Sequence, residues 1–340
     1  MTGGAGFVGS NLCRRLLSEG VEAVTVVDNL LSAEIWNLPQ DHRLRLVQGS
    51  AADRATLAAV RDEDCEYVFH LATFHGNQNS IADALADHAN NALPTLVLLE
   101  RLASVNTLRK VVYASAGCTL GQAVPGHPTV SREDTPLPLV FDSPYQVSKI
   151  LGELYGNYYW ARRGLPFVKA RFQNVYGPGE ILGAGAWRGT SATVWRNVVP
   201  TFTYRALHAM PLLVEGELAS RDFIFVEDIV EGLLRCASHG VAGEVYNLGT
   251  GIETRILDLA RKINHLAGAR SEVRLVPGRD WDHSLRRYAS TEKARQQLGF
   301  IACTNTDPGL QRTVDWTRAN LDRIREAIAK HAAFMREPWA

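Results

Sequence analysis

Residues 1–9, Met1-Thr2-Gly3-Gly4-Ala5-Gly6-Phe7-Val8-Gly9, decide how this chain reads, together with Asp28, an acid about 20 residues further on. Gly3-x-x-Gly6-x-x-Gly9 opens a helix: residues 11–19 carry Leu12, Leu16 and Leu17 at helical spacing and stop at Gly20. The β-branched run Ala23-Val24-Thr25-Val26-Val27 then ends in Asp28. Glycines at positions 3 and 6 let backbone N–H groups approach a pyrophosphate, and a helix starting near Phe7 adds its positive end. Gly9 allows helix and strand to pack closely. A carboxylate at position 28 accepts both adenosine ribose hydroxyls and repels a 2′-phosphate, which favours NAD over NADP. A glycine pattern alone reads equally well as a tight turn; the acid at this offset in a βα context makes it a dinucleotide site. Such a turn needs an apolar strand immediately before it, and none is present. Either the sequence begins inside the native protein or a central strand is missing; a central gap would expose ladder groups on both neighbours, so the first reading is preferred.

Outward from the turn, strands and helices alternate. Leu44-Arg45-Leu46-Val47 reads as a strand, residues 55–60 as a helix, Tyr67-Val68-Phe69-His70-Leu71 as a strand, residues 91–102 as an apolar helix, and Lys110-Val111-Val112-Tyr113-Ala114 as a strand. Further strands are expected at residues 167–172, 221–226 and 244–248, a Gly-rich loop at 177–189, and helices from Pro308 onward. This rhythm predicts an α/β fold, a doubly wound parallel sheet with a smaller C-terminal substrate-binding lobe. Residues 1–173, with returning segments at about 222–250, are expected to form the dinucleotide-binding part; 174–221 and 251–340 are expected to form the substrate lobe.

Composition excludes several classes. With 340 residues, 46% apolar and 21% charged, the chain is globular, and 36 basic residues against 36 acidic ones give zero net charge. That argues against a binder of nucleic acid or anionic membranes that works by overall charge. No apolar run approaches the roughly 18 residues of a membrane span, and no signal peptide is evident. The odd, scattered Cys13, Cys65, Cys118, Cys236 and Cys303 read as reduced thiols of a cytoplasmic protein, and no metal-ligand spacing occurs.

Ser143-Pro144-Tyr145-Gln146-Val147-Ser148-Lys149 sets Tyr145 and Lys149 four apart at the start of a predicted helix, on one face. With 10 Tyr and 6 Lys, about 0.2 such pairs arise by chance, so this one carries weight. A solvated helix face is the plain alternative. An ammonium beside a phenol favours phenolate, so Tyr145 is expected to act as a base with its pKa lowered by Lys149.

The turn spacing and the Tyr/Lys pair resemble the extended short-chain dehydrogenase/reductase family, in its branch of NAD-dependent nucleotide-sugar epimerases and dehydratases. The resemblance implies that Tyr145 and Lys149 are the catalytic pair and that the cofactor is NAD. It places NAD against Gly3, Gly6, Phe7, Val8, Gly9, Asp28 and Asn29, then Ser50 and Ala51 near the adenine. Leu71, Ala72, Thr73, Tyr145 and Lys149 complete that set. Asn91 matches the family's structural asparagine. The family's substrate-holding Ser/Thr falls on Ala116, which has no hydroxyl; Ser115 is expected on the nicotinamide side, and Ser115 or Thr119 is a candidate substitute. Members that dehydrate a 4-keto sugar carry Asp-Glu where this chain has Gly117-Cys118, which speaks against dehydration.

The same segment is similar to that of GDP-mannose 3,5-epimerases, which implies carbon acid/base chemistry for Cys118. Arg188, in Trp187-Arg188-Gly189, stands at the place of their second acid/base, a lysine; a guanidinium there stabilises an enolate and does not donate a proton. A small buried cysteine filling a gap is an equal alternative. Asn174 and Arg221 match diphosphate-binding positions, and either Arg286 or Arg287 supplies a second guanidinium; surface ion pairing is the alternative for each. His75 is expected to line the sugar side as a hydrogen-bonding residue. The function implied is epimerisation of a nucleotide-linked sugar, UDP-linked by preference, through transient oxidation at C4, in polysaccharide biosynthesis. The rivals are a 4,6-dehydratase and a catalytically silent NAD-binding protein. A homodimer is implied, pairing the helices at 91–102 and from Tyr145 onward.

Overall fold

The computed structural model describes residues 1–61, 65–119, 129–186, 194–283 and 285–334. Its central sheet is parallel. On one side β1 (Val24–Asp28) pairs with β2 (Leu44–Gln48). On the other, β3 (Tyr67–His70), β4 (Lys110–Ala116), β6 (Phe167–Phe172) and β11 (Val245–Leu248) run in the order β3-β4-β6-β11. Thr2 joins the halves, bridging Val27 and His70. Its N–H donates to Phe69 O at 3.0 Å and its carbonyl accepts from Leu71 N at 3.1 Å, while Gly3 N reaches Val27 O at 2.9 Å. Met1 to Gly3 thus lie at the centre of the sheet and hydrogen-bond both neighbours, Val27 N also donating to Met1 O at 2.8 Å.

Strand order reverses at Thr2, between β1 and β3. Loops leaving the carboxyl ends diverge there, and an α/β sheet opens its binding crevice at such a point. Gly3, Asp28, Leu71, Ala116 and Gln173, far apart in sequence, all stand at that end.

Alternation along the strands builds two cores. Val112, Ala114, Val168 and Ala170 pack with Leu12 of α1 (Phe7–Ser18) and with Ile229 and Leu233 of the helix Val226–His239. Val111, Tyr113 and Phe167 pack on the opposite face with Leu98 and Leu99 of α5 (Ala92–Leu102) and Tyr159 of α6 (Pro144–Arg163). Fully burying each such side chain contributes about 1.5–3 kcal/mol. α6 starts at Pro144, with Ser143 as its N-cap accepting from Gln146 N, and ends at Gly164 in the left-handed region, φ 69°.

A second group of elements covers the carboxyl end. β8 (Leu212–Glu215) pairs with β13 (Val273–Val276), and Phe202, Leu212, Leu259, Ile263 and Leu310 form its core. The single strand expected at 221–226 is two strands. β9 (Ser220–Arg221) pairs antiparallel with β12 (Thr254–Arg255), and β10 (Phe223–Phe225) pairs parallel with β7 (Asn174–Tyr176). The break falls at Asp222, whose buried carboxylate accepts from Thr250 N (2.9 Å), Thr250 Oγ1 (2.6 Å) and Gly251 N (3.0 Å). Two short helices, α3 (Asn77–Ala82) and α4 (Ala84–Asn90), precede α5 and were not expected. Among the described residues no helix is long and apolar enough to cross a membrane, and all five cysteines are free thiols.

Candidate active site

A cleft of about 740 Å³ opens between the sheet's carboxyl end and the covering elements. The glycine turn forms one wall. Gly3 adopts φ 71°, and a Cβ there would lie 2.5 Å from Ala72 N; a Cβ on Gly9 would lie 2.2 Å from Gly3 O. These two glycines are required by packing. Gly6 differs, because its Cβ would meet only Gly3 O, at 3.3 Å, and otherwise project outward. α1 begins beside it with no side-chain cap, leaving its N-terminal end to an external anion. Asp28 accepts from Ala5 N (Oδ2, 2.9 Å) and Leu30 N (Oδ1, 2.9 Å). Burial raises the pKa of its carboxyl and those two N–H bonds pull it back. Phe7, Val8, Asn29, Ser50, Ala51, Leu71, Ala72 and Thr73 line the same wall. A cradle that a Cβ would fill, a helix N-terminus and an acid fit NAD.

The N-terminal part of α6 places Tyr145 and Lys149 in the cleft, both buried. Lys149 Nζ donates to Ala114 O at 2.9 Å and lies 5.7 Å from the Tyr145 ring centre and 5.3 Å from that of Tyr113. Burial lowers its pKa to about 8, against the pull of Asp87 and Cys118. Tyr145 departs from expectation: burial holds its phenol well above the ordinary value, with Cys118, Tyr113 and Asp87 adding to this and a hydrogen bond with Thr73 opposing it. The chain's own groups therefore do not bring this phenol down to working pH. His75 stands edge-on to Tyr145, ring centres 6.0 Å apart. Burial, with Arg196 and Lys149 nearby, lowers its pKa to about 3, so it is a neutral hydrogen-bonding group.

Ser115 lines the cleft, but its hydroxyl donates to Glu153 Oε1 at 2.5 Å, within a buried ion pair of Glu153 and Arg171 (2.7 Å). The hydroxyl expected on the nicotinamide side is directed to α6 instead. Cys118 lies in the cleft; burial raises its thiol pKa, and Arg287, Lys149 and Arg221 pull it down. A Cβ on Gly117 would fall 2.1 Å from Gln173 Nε2, so the amide occupies the space a side chain at 117 would need.

The far end of the cleft is cationic. Arg221 donates to Ser220 O, Leu285 O and Asp282; burial, then Arg287, lowers its pKa to about 10. Arg287 lines the cleft, its Nη1 buried and without a hydrogen-bond partner among the described residues. Arg286 does not line it: its guanidinium is held by Glu253 at 2.6 and 2.8 Å. Of the two neighbours, it is Arg287 that lines the cleft. Asn174 lines the cleft from β7. Arg188 and the side chain of Thr119 lie outside the described residues.

Three further groups escaped the sequence reading. Glu180 follows Gly177-Pro178-Gly179; Asn197 donates to its Oε1, its buried Oε2 has no partner among the described residues, and burial raises its pKa to about 7. Arg196, partly buried, stands near it as a counter-charge. Gln173 is the third. Only the Gly-Pro-Gly loop signalled any of them.

Residues 1–249 match the model of the NAD dependent epimerase/dehydratase family. The chain is 31% identical to UDP-glucose 4-epimerase of Mycolicibacterium smegmatis, covering 94% of this chain and 97% of that protein. It is 32% identical to dTDP-glucose 4,6-dehydratase of Streptomyces niveus, covering 94% and 92%. The structure of the Bordetella bronchiseptica enzyme WbmF in complex with NAD+ and UDP superimposes with a TM-score of 0.86 at 54% identity, covering 98% of this chain and 95% of that one. With its glycine turn, buried Tyr/Lys pair and arginine-lined end in one cleft, the chain belongs to the NAD dependent epimerase/dehydratase family.

Proposed function

We propose that this protein is an epimerase of a nucleoside diphosphate sugar, working through transient oxidation at C4 of the sugar. The observation that carries this reading is that one cleft is lined by the glycine turn, by Tyr145 and Lys149, and by Arg221 and Arg287. Arginine forks suit a diphosphate, and Asn174 stands beside them. UDP, bound by the Bordetella bronchiseptica relative, is the nucleotide we assign.

Gly3, Gly6, Phe7, Val8, Gly9 and Asp28 would hold NAD, with Asn29, Ser50, Ala51, Leu71, Ala72 and Thr73 along its length. Bound and oxidised, NAD supplies a reversible acceptor for the C4 hydrogen and a positively charged ring that favours a nearby phenolate. Tyr145 takes the proton from the C4 hydroxyl and returns it when the ketone is reduced. Lys149 supplies the second positive charge, and His75 a neutral hydrogen bond to the sugar. Inversion then follows by turning the ketone before its reduction, or by proton exchange between Cys118 and a carbon next to it. With the Ser115 hydroxyl on Glu153, the second route has the better-placed group.

A 4,6-dehydratase would need an acid and a base at positions 117 and 118, and Gln173 fills the space at 117. We further assign a homodimer through α5 and α6, where Leu93, Val147, Leu154 and Tyr158 are exposed. Tyr145→Phe tests the catalytic reading: with UDP-sugars supplied to the NAD-loaded protein, kcat is expected to fall at least about a hundredfold. Retention of wild-type kcat overturns it.

A further inference from the structure

Next to the Tyr145–Lys149 pair lies a carboxylate that the proposed chemistry does not use. Asp87, on α4, is fully buried. Its Oδ2 accepts the hydroxyl of Ser148, the residue just before Lys149, and its Oδ1 accepts Asn91 Nδ2 at 2.7 Å. Asn91 Oδ1 in turn accepts from Phe74 N at 2.7 Å and from the Thr73 hydroxyl at 3.1 Å, and Thr73 lines the cleft with Tyr145. Asp87 thus grips α6 through Ser148 on one side and the Thr73–Phe74 segment through Asn91 on the other. Nearby, Ser80 of α3 accepts the backbone N–H of Tyr145 at 3.0 Å.

The charges around Lys149 single out Asp87. On β4 the ammonium meets Ala114 O and the ring of Tyr113, both neutral. His70 on β3 and His75 beyond it are uncharged, each with its pKa held near 3 by burial. Cys118 is a thiol whose pKa is raised by burial, and Glu153, one turn along α6, is paired with Arg171. On α5, Glu100 bonds Tyr159 and Arg101 bonds Leu57 O and Val60 O, at the helix's far end; α3 carries no ionisable side chain. His88 is the charged-capable neighbour on α4 itself. A buried ammonium without a counter-charge loses its proton readily.

We propose that Asp87 is the positioning residue of the Tyr145–Lys149 pair: its buried charge keeps Lys149 protonated, while its hydrogen bonds to Ser148 and Asn91 fix α6, which carries the pair, against the Thr73–Phe74 segment. This rests on the reading of that pair as catalytic. Burial raises the carboxyl's pKa, and Ser148, Asn91 and Lys149 pull it down toward the ionised form.

The chain has six lysines, so lysine labelled with ¹³C at Cε gives six signals, and Lys149→Met assigns the one from Lys149. The Lys149 titration midpoint is measured with NAD bound in wild type, Asp87→Asn and Ser148→Ala; Asp87→Ser is the second neutral variant if the amide does not fold. Asp87→Asn is expected to lower the midpoint by about one unit or more. Ser148→Ala removes a hydrogen bond but no charge, and should leave the midpoint in place. A midpoint unmoved by both neutral variants, or moved as far by Ser148→Ala, overturns the inference. A shifted midpoint alongside a fully active Tyr145→Phe upholds Asp87 as the lysine's counter-charge and overturns the catalytic reading instead.

Discussion

Gln173 Nε2 lies where a Cβ on Gly117 would come within 2.1 Å of it, and that nitrogen, buried, has no hydrogen-bond partner among the described residues. The pair works as one unit: the missing side chain at 117 admits the amide, which lines the sugar side of the cleft. Gly117→Ala is therefore expected to destabilise the fold by about 1–3 kcal/mol through overpacking. Gln173→Ala in the same chain should recover most of that loss. Urea unfolding of the two single variants and the double checks this, and additive effects would deny the coupling.

Asp28 gives a second prediction. Its carboxylate is fixed by Ala5 N and Leu30 N, aimed at the end of the turn. Asp28→Asn keeps the shape and removes the charge, so hydrogen bonds of about 1.5–3 kcal/mol to the ribose weaken. NAD affinity should fall about 10–100-fold by calorimetry, while NADP, no longer repelled, gains relative to NAD.

The two neighbouring arginines should behave oppositely. Arg287 faces the cleft and Arg286 is held by Glu253. Arg287→Ala is expected to raise KM for the nucleotide sugar at least about tenfold, the loss of one charged hydrogen bond. Arg286→Ala should leave KM unchanged and change stability little, as for a solvent-screened ion pair.

The pH dependence follows from Lys149 and His75. Lys149, at about 8 in the fold against 10.5 as its ordinary value, loses its charge as pH rises through 8. kcat/KM should fall above that point, whereas His75, near 3, adds no limb between pH 5 and 7. Between pH 8 and 10.5 the unfolded chain holds a proton that the folded one has released, so Lys149's contribution makes stability rise with pH in that window. Lys149→Met should abolish that rise in unfolding titrations.

On α6, Leu154 and Tyr158 are 49% and 56% exposed, one turn apart on an outward face. If two copies join there, Leu154→Glu with Tyr158→Glu gives a monomer by sedimentation velocity, with NAD binding retained. An unchanged sedimentation coefficient would contradict the assignment.

The glycine turn and the Tyr145/Lys149 pair were legible because their chemistry is local: a turn needing glycine, and two side chains one helical turn apart. The choice between Arg286 and Arg287 was not, because adjacent residues of a strand point to opposite sides and only Glu253, brought by the fold, decides which is taken. Asp87 and Glu180 were equally hidden. Each is an ordinary acid until burial and partners from distant segments give it a role. The break at Asp222 was missed because an apolar β-branched run carries no sign that a buried carboxylate will collect N–H groups from residues 250 and 251. The high proton affinity of Tyr145 shows the same limit: four-residue spacing puts an ammonium near a phenol, but says nothing of how dry the site is.

The central claim is that C4 of a nucleotide-linked sugar is oxidised and then reduced within one turnover. Substrate carrying deuterium at C4, in a panel of UDP-sugars, tests it most directly when product is followed by NMR in ordinary water. The account predicts an epimer with the deuterium still at C4. Deuterium found at C6 of a 4-keto-6-deoxy product, or label lost to solvent, would contradict it.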